Sequence, residues 1–539
     1  MPSDSYPIRL PGCELLQVSS IGEAFHHVAQ QLGDRTAVRF KSGVIWQALS
    51  WSQLLAEVET CAAALLASGL QPGEHVGILS ENRVEWLIAD LAILTIGATM
   101  VPIHAALPAA TVVEQLAHAE VSWLFASAEQ FAKVKGMTGL RAIVVLSPPH
   151  PPAPSSTEGR GGVHVWKRWL DRQTHPNIEH PQSLRGRGGR GVKGDQLATI
   201  LYTSGTTTAP KGVMLTHGNL LSNALATLSV LPFAPGGTVF NWLSFSHIYA
   251  HTSDLLMSIL SGTTLALAES PETVARDLRT IHPTNMHGVP RLYERLLNSE
   301  LKDSFGPNVD WLKAGGAPLP PRAAEAYADA GLTLLQGYGM TECAPVIATA
   351  RKGDHRPGTV GRPIPGIETR IADDGELLVR GPNTTPGYWK DPIATADLLR
   401  DGWLHTGDLA RFESDGHLVI LGRKTDKIVL STGKKVEPAA IEALLNADPL
   451  IEQAVVCGEG KPYLTALIVP RDSASGKELA GRVEAALAGL APWEKVKRFA
   501  LLPRPLSVAE GELTVSLKLR RVVVLGRYRE LIEGLYRGD

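Results

Sequence analysis

The sequence predicts an α/β protein that has a large N-terminal domain and a small α+β domain at its C-terminus. Three observations lead to this prediction: the length of 539 residues, a repeated strand-then-helix pattern, and a change of pattern after Gly422. A chain of this length exceeds what one hydrophobic core usually supports, so two or more domains are expected. The strand-and-helix alternation predicts buried parallel strands under helices in the larger domain.

The first elements of this pattern lie between residues 51 and 103. Apolar residues from Trp51 to Leu66 recur at three- and four-residue steps, which predicts one face of a helix, and Gly69 supplies a stop. The apolar run HVGILS then predicts a strand, and WLIADLAILTIGA predicts the next helix. The same rhythm predicts further strands at 121–125, 141–146 and 263–268.

Two changes of composition set the predicted domain organisation. Residues 147–193 are rich in Pro, Gly, Ser and Arg, which predicts a flexible surface loop. Its arginines are candidates for contact with nucleic acid, but a basic run without interleaved aromatic residues is more often solvated. After residue 422, GRKTDKIVLSTGKKVEP leads into a short helical stretch and apolar strands. We therefore predict an N-terminal domain over 1–422 and a C-terminal domain over 423–539.

Charge and composition narrow the possible partners. Lys and Arg number 52 and Asp and Glu number 54, a net charge of −2, so no global field favours nucleic acid or an anionic membrane. The four scattered cysteines favour a reducing, cytoplasmic setting. The N-terminus does not resemble a secretory signal, and the most apolar stretches fall short of the roughly 20 residues that span a bilayer. Peripheral membrane association and the oligomeric state stay open.

The strongest chemical signal is the segment YTSGTTTAPKGVMLTHGN, which begins at Tyr202 after the apolar run LATIL. Its small residues let backbone N–H groups converge on an anion, and its hydroxyls add further hydrogen-bond donors. Lys211 follows as a positive charge. The glycine spacing differs from the G-x-x-x-x-G-K-[ST] nucleotide loop, so this segment alone leaves a phosphate site and an ordinary polar turn equally open.

Five further segments extend this signal in a fixed order along the chain. They are KAGGAPLP from Lys313, GYGMTE from Gly337, GWLHTGDLA from Gly402, GRKTDKI from Gly422 and ELTVSLKLRR from Glu512. Together with the loop they resemble the adenylate-forming superfamily of acyl-CoA synthetases, nonribosomal-peptide adenylation domains and firefly-type luciferases. The stretch from Ala268 and the closing RRVVVLGRYRELIEGLY resemble its long-chain fatty acyl-CoA synthetase branch. The resemblance implies α/β subdomains with parallel sheets, a β-barrel-like part and a mobile C-terminal domain.

The same resemblance implies a site for ATP and Mg²⁺. Tyr338 would lie against the adenine, and Asp408 would accept hydrogen bonds from the ribose hydroxyls. Arg423 would support the same sugar, with an ordinary interdomain salt bridge as the alternative. Glu342, together with Thr203, would hold Mg²⁺, a hard cation that prefers oxygen ligands. The other implied nucleotide-binding residues are Ser204, Gly205, Thr206, Thr207, Lys211, Gly315, Gly316, Ala317, Pro318, Gly337, Gly339 and Thr341.

The resemblance also implies residues that carry the chemistry. Lys518 would be the catalytic cation, because an ammonium that reaches both the acid and the phosphate stabilises the charge that shifts during attack. Leu517 stands where most superfamily members have glycine, which resembles the long-chain branch. His247 would lie near the acyl pocket and the reacting carboxylate, with a core histidine that caps an element as the alternative. Thr203 and Glu342 complete the implied catalytic set.

The implied function is the activation of a carboxylic acid, in particular a medium- or long-chain fatty acid. ATP would convert the acid to acyl-AMP with release of pyrophosphate, and coenzyme A would then accept the acyl group. A hinge near residues 423–426 would rotate the C-terminal domain between the two steps. Three alternatives stay open: a fatty acyl-AMP ligase that loads an acyl carrier protein, an aryl-CoA ligase, and an inactive scaffold on the same fold.

Overall fold

The computed structural model describes residues 5–8, 16–146, 163–173, 191–203, 211–297, 300–471, 474–507, 510–514 and 519–537. Most of these residues build three large sheets and the helices that cover them. The arrangement matches the predicted α/β class.

The first sheet has eight strands and is parallel through its centre. In spatial order its strands are Gly387–Tyr388, Lys211–Thr216, Leu197–Thr203, Thr99–Ile103, His75–Leu79, Trp123–Ser127, Ala142–Leu146 and Val163–Val165. The strand that ends at Thr203 pairs with the strand that begins at Lys211, and these two residues lie opposite each other. The predicted phosphate loop therefore joins two neighbouring strands at one end of this sheet.

The second sheet has nine strands, six of which form a parallel block. In spatial order they are Arg362–Pro363, Val346–Thr349, Leu334–Gly339, Trp311–Ala314, Asn285–Gly288, Thr238–Asn241, Thr264–Leu267, Thr36–Ser42 and Ile45–Ser50. The carboxyl ends of neighbouring parallel strands meet at one edge of a sheet, which is where ligands of α/β proteins bind. The KAGGAPLP and GYGMTE segments thus begin side by side at this edge.

The third sheet is antiparallel, and whether it forms the predicted β-barrel-like part stays a prediction. Its strands are Glu368–Ile371, Glu376–Arg380, Leu399–Arg400, Trp403–Phe412 and Leu418–Arg423. Smaller sheets pair Tyr6–Ile8 with Leu16–Val18 and Ile428–Val429 with Lys435–Val436, and join Ile451–Cys457, Leu464–Pro470 and Val496–Leu501. The last of these sheets belongs to the predicted C-terminal module.

The helices cover the sheets and begin at recognisable caps. Ser50 and Gln53 form a reciprocal capping box at the start of Trp51–Ala67, which satisfies backbone N–H groups of the first turn. The α-helices are Ile21–Leu32, Trp51–Ala67, Val84–Thr95, Ala109–His118, Trp166–Gln173, His217–Val230, Ile248–Ala250, Met257–Ser261, Val274–Ile281, Pro290–Arg295, Leu301–Phe305, Pro321–Asp329, Pro392–Leu398, Pro438–Asn446, Gly476–Ala486, Arg521–Arg527 and Arg529–Gly534. Phe131–Lys133, Thr341–Cys343 and Lys424–Asp426 are 3₁₀ turns, and His251–Leu256 is a π-helical segment.

The structure confirms the early element predictions and corrects one of them. The predicted strands appear as Trp123–Ser127, Ala142–Leu146 and Thr264–Leu267. Residues 163–173, inside the predicted loop, instead form a strand and a helix, so that part of the loop prediction is wrong. Its aromatic residues explain the difference, because Trp166 and Trp169 pack on Phe125 with ring centroids 5.6 and 5.9 Å away. Residues 147–162 and 174–190 of the predicted loop lie outside the described residues.

The predicted domain boundary falls at the end of the strand Leu418–Arg423, directly before the 3₁₀ turn Lys424–Asp426. The residues after this turn form apolar clusters of their own, which supports a separate module. The position of the domain boundary after residue 422 stays a prediction. Within the described ranges, every helix is too short or too polar to cross a bilayer.

Candidate active site

Tyr338, Asp408 and Arg423 form one hydrogen-bonded set, here called the Asp408 group. Asp408 and Arg423 face each other on paired strands of the third sheet, and Tyr338 lies at the end of a second-sheet strand. The Tyr338 hydroxyl donates to Asp408 Oδ2 at 2.5 Å, and Arg423 Nε lies 2.8 Å from Asp408 Oδ1. Three residues that the sequence placed in the nucleotide site therefore meet where two sheets come together.

The protonation state of this group suits nucleotide binding. Burial and the neighbouring Asp408 carboxylate raise the pKa of the Tyr338 hydroxyl well above its usual range, so the hydroxyl keeps its proton and remains a donor. Asp408 is buried, and a carboxylate has about four acceptor positions. These two contacts orient Asp408, whose carboxylate oxygens are acceptors of the kind that a ribose hydroxyl needs.

Glu342, Tyr388 and Lys211 form a second set, here called the Glu342 group. The Tyr388 hydroxyl donates to Glu342 Oε1 at 2.8 Å, and Lys211 Nζ lies 4.9 Å from the centroid of the Tyr388 ring. The strands of Tyr388 and Lys211 pair directly, whereas Glu342 lies in the 3₁₀ turn Thr341–Cys343. Tyr388 thus brings together a carboxylate and an ammonium that are 131 residues apart, from 342 to 211.

The two groups are neighbours in one site. Burial raises the pKa of the Tyr388 hydroxyl, the Glu342 carboxylate adds to the rise, and the positive charge of Arg423 opposes it. The charge on Arg423 therefore acts across the gap between the groups. Sequence reasoning missed Tyr388, for which an aromatic residue in the turn-like segment PGYWKDP was the available signal.

The glycine-rich segments allow close backbone approach at the edge of the second sheet. A Cβ atom on Gly339 would lie 2.0 Å from the Pro345 carbonyl oxygen, a distance that no side chain tolerates. A Cβ atom on Gly315 would lie 2.9 Å from the Tyr249 ring, and Gly316 has a positive φ of 80°. Ala317 and Pro318 continue this loop at the surface. The segments that the sequence assigned to nucleotide binding thus pack their backbones closely against neighbouring groups at the expected edge of the sheet.

The remaining predicted residues divide into described and undescribed ones. Thr203 is half-buried opposite Lys211, and Thr341 opens the 3₁₀ turn that carries Glu342. His247 caps the helix Ile248–Ala250, where its Nδ1 accepts from the Tyr249 N–H at 3.2 Å. Its place beside the reacting carboxylate stays a prediction. Five predicted residues lie outside the described parts of the chain: Ser204, Gly205, Thr206, Thr207 and Lys518.

The donor set fits Mg²⁺ only if a substrate supplies further ligands. Glu342 and Thr203 offer hard oxygen atoms, the kind that this ion prefers. Among the described residues, no cluster of three His, Cys, Asp or Glu side chains could hold a metal ion. Proteins usually bind Mg²⁺ through one or two carboxylates together with substrate phosphates and water. The residues present therefore match an ion that arrives with a nucleotide.

Comparison with protein families agrees with this geometry. The family sequence model for the AMP-binding enzyme matches residues 25–389. The family model for the AMP-binding enzyme C-terminal domain matches residues 425–539. The chain belongs to the AMP-binding enzyme family. This membership confirms the superfamily resemblance that the ordered motifs indicated.

Relatives of this AMP-binding enzyme match most of its length. The long-chain-fatty-acid–CoA ligase FadD15 of Mycobacterium bovis is 31% identical, and the match covers 91% of this chain and 93% of that protein. Feruloyl-CoA synthase of Amycolatopsis sp. is 30% identical over 82% of this chain and 88% of its own length. The crystal structure of the anthranilate CoA ligase AuaEII with anthranoyl-AMP superposes with a TM-score of 0.82 at 20% identity, covering 96% and 98% of the two chains. This last likeness shows a common fold.

Proposed function

We propose that this AMP-binding enzyme is an AMP-forming acid–CoA ligase whose substrate is a medium- or long-chain fatty acid. The observation that carries the proposal is the Asp408 group beside the Glu342 group, where two sheets meet. An inactive scaffold would not need a buried carboxylate for a sugar, a second for a metal and a lysine for phosphate at one place. The family membership and a relative matched over 91% of this chain support the same conclusion.

In the first half-reaction, an oxygen of the acid attacks the α-phosphorus of ATP, and the bond to pyrophosphate breaks. Asp408 binds the ribose, Tyr338 covers the adenine, and Lys211 lies where it can pair with phosphate oxygens. Lys518 supplies the positive charge that stabilises the shifting negative charge of the transition state. Mg²⁺, held by Glu342 and Thr203, would neutralise phosphate charge when bound. The products are acyl-AMP and pyrophosphate.

In the second half-reaction, the thiol sulfur of coenzyme A attacks the acyl carbonyl carbon. A thioester bond forms and the bond to AMP breaks, because a phosphate monoester leaves far more readily than an oxide ion. The C-terminal module rotates between the steps about residues 423–426. The 3₁₀ turn Lys424–Asp426, directly after a sheet strand, is a short element that can absorb such a rotation.

The acid class rests on the relatives. FadD15 favours a fatty acid, and its match covers nearly all of both chains. Feruloyl-CoA synthase favours an aryl acid as the second candidate, at a similar identity but lower coverage. We therefore place fatty acids first and aryl acids second.

Pyrophosphate release over a panel of fatty and aryl acids, with and without coenzyme A, tests the proposal. We expect acid-dependent release of pyrophosphate, and formation of acyl-CoA when coenzyme A is present. Release without a CoA ester would instead identify a protein-bound thiol as the acceptor. An absence of pyrophosphate with every acid would contradict the proposed function.

A further inference from the structure

The interior of the second sheet holds a lysine that the proposed chemistry does not use. Lys313 lies in the strand Trp311–Ala314, and its side chain is buried to 1% exposure. Among the described residues, its Nζ has no hydrogen-bond partner. Burial lowers the pKa of Lys313 to about 7, which reflects the cost of keeping an ammonium away from water. Such a group is costly for the folded protein unless a ligand pairs with it.

The Lys313 side chain runs toward the ligand-binding edge of the sheet. Its register partner on the next strand is Leu335, but its end lies against Gly337, two residues closer to the edge. A Cβ atom on Gly337 would lie 2.6 Å from Lys313 Cε and 3.3 Å from Nζ. Gly337 directly precedes Tyr338 of the Asp408 group. The amine therefore reaches the part of the edge that is next to the proposed nucleotide site.

A second buried nitrogen lies on the same face of the sheet. His287 is the register partner of Lys313 on the strand Asn285–Gly288. Its Nδ1 lies 2.7 Å from Asp254 Oδ1, so the carboxylate accepts the Nδ1 proton. Burial lowers the pKa of His287 despite the opposing effect of Asp254, so the ring is neutral and its Nε2 is an acceptor. Within the described residues, Nε2 also has no hydrogen-bond partner.

Tyr249 packs between the strands of Lys313 and His287 and the predicted acyl side of the site. Its hydroxyl donates to the Lys313 carbonyl oxygen at 3.3 Å, and its ring packs edge-on against His287 with centroids 5.5 Å apart. The same ring closes over Gly315 in the KAGGAPLP segment. His247, which we expect beside the reacting carboxylate, is two residues earlier in the chain. We therefore expect the unpaired nitrogens to face the acyl group rather than the phosphates.

We propose that Lys313 and His287 select carboxylic acids that carry a hydroxyl group. This inference rests on the proposed function and narrows its acid class. The hydroxyl oxygen accepts a hydrogen bond from Lys313 Nζ, and the hydroxyl proton is donated to His287 Nε2. A neutral hydroxyl satisfies both atoms at once, because it is a donor and an acceptor. An unsubstituted acid leaves both nitrogens unpaired in the complex.

Other polar substituents match this pair less well. A second carboxylate has no proton for His287 Nε2, and its charge would lie close to the Asp254 carboxylate. A keto group accepts from Lys313 but likewise donates nothing. A site that hydrogen-bonds a substrate hydroxyl discriminates strongly against the analogue without it, because its own polar groups are then left unpaired.

The test compares kcat/KM for pyrophosphate release with matched acids, both aliphatic and aromatic: unsubstituted, hydroxy, keto and dicarboxylic. For the wild-type protein we expect a preference of about tenfold or more for the hydroxy acid over its unsubstituted partner. In Lys313→Met we expect this preference to fall to about twofold or less, through loss of activity with the hydroxy acid. The KM for ATP should stay unchanged.

Two further variants separate the effect of the Lys313 amine from a general effect of losing a lysine. Lys302→Met removes an exposed lysine of the same region and should leave the preference intact. Gly337→Ala keeps the amine but occupies the space beside it, and should weaken the preference with the ammonium still present. A thermal unfolding curve for each variant shows whether it is folded.

The possible outcomes separate the two proposals. Equal activity with hydroxy and unsubstituted acids in the wild type would overturn the inference and leave the ligase function standing. A preference for the dicarboxylic or keto acid would also overturn it, as would an equal loss with all acids in Lys313→Met. Absence of pyrophosphate release with every acid would overturn the ligase function itself.

Discussion

The Asp408 group, where the second and third sheets meet, and the buried set of Asp254, His287 and Lys313 differ in how completely their side chains are paired. In the Asp408 group, both carboxylate oxygens have partners within 2.8 Å. In the interior set of Asp254, His287 and Lys313, two nitrogens have no partner among the described residues. The pairing in the Asp408 group fixes the residues that we propose bind the nucleotide. The unpaired nitrogens of Lys313 and His287 mark the place where we expect the enzyme to select its acid substrate.

The largest expected effect concerns Lys518, which we propose stabilises the charge on the phosphate during adenylation. Lys518→Ala should reduce adenylate formation by about 100- to 1,000-fold, because one positive charge is lost from the transition state. Thiolation of a supplied acyl-adenylate should remain largely intact. The two half-reactions measured separately check this expectation, with the exposed Lys477→Ala as the control. Equal loss of both steps would contradict the role of Lys518.

Next in size is the effect of removing the charge of Glu342. Glu342→Gln keeps the shape of the side chain but weakens the Mg²⁺ site, so pyrophosphate release should fall by about 100-fold. Excess Mg²⁺ should restore part of the activity. Tyr388→Phe removes only the neighbouring hydroxyl and should cost less. If Glu342→Gln had wild-type activity at limiting Mg²⁺, Glu342 would not be a metal ligand.

The substitution Asp408→Asn tests whether the Asp408 group binds the ribose of ATP. An amide cannot pair with Arg423 as a carboxylate does, and charge-assisted hydrogen bonds are worth about 1.5–3 kcal/mol each. We expect the KM for ATP to rise about tenfold, while the KM for the acid stays the same. Steady-state kinetics with each substrate varied in turn measures the difference. The exposed Asp401→Asn is the control, and an equal rise in both KM values would argue against ribose binding by Asp408.

Two glycines of one motif should respond differently to the same substitution. In Gly339→Ala the new Cβ meets the backbone carbonyl of Pro345, so the fold must shift at a cost of about 1–3 kcal/mol. In Gly337→Ala it meets the flexible end of Lys313, which can move away. Denaturant unfolding should show a large loss of stability for Gly339→Ala and a small one for Gly337→Ala. Similar losses would show that Lys313 is held more rigidly than we infer.

The smallest effect is a pH dependence of stability that Lys313 imposes. Burial lowers the pKa of Lys313 to about 7 from its ordinary value of 10.5, so between these values the unfolded chain binds more protons than the folded one. The free energy of unfolding should therefore rise with pH in this window, by at most about 1.4 kcal/mol per pH unit from this group. Lys313→Met lacks the contribution. At pH 7 the variant should be more stable than the wild type, because it buries no ammonium. Unfolding measured at pH 7, 8 and 9 should show that this difference in the free energy of unfolding shrinks as the pH rises. A difference that stays constant would contradict the lowered pKa of Lys313.

The sequence predicted the members of the Asp408 group because they lie in contiguous motifs; their role in nucleotide binding stays a prediction. GYGMTE and GWLHTGDLA each carry a residue of the Asp408 group, and GRKTDKI carries its arginine. Tyr388 was missed because its role comes from pairing between the strands Gly387–Tyr388 and Lys211–Thr216, which no local pattern encodes. Lys313 and His287 were missed as a pair for the same reason, since only the register of two parallel strands brings them side by side.

The same distinction applies to the fold. Strands with continuous apolar runs, such as Trp123–Ser127, were predictable from composition alone. The helix Trp166–Gln173 was not, because it lies in a segment that is otherwise rich in Pro, Gly and Arg, and its tryptophans gain their meaning from packing on Phe125. Local composition thus predicted the elements whose burial is continuous, and failed where tertiary contacts decide.

Isotope exchange tests the central claim most directly, because it detects adenylate formation without any acceptor thiol. The protein is incubated with ATP, Mg²⁺, labelled pyrophosphate and an acid, in the absence of coenzyme A. Reversible formation of acyl-AMP predicts acid-dependent transfer of label into ATP, with loss of the exchange in Lys518→Ala. Formation of ADP and phosphate, or exchange that does not depend on an acid, would contradict the assignment.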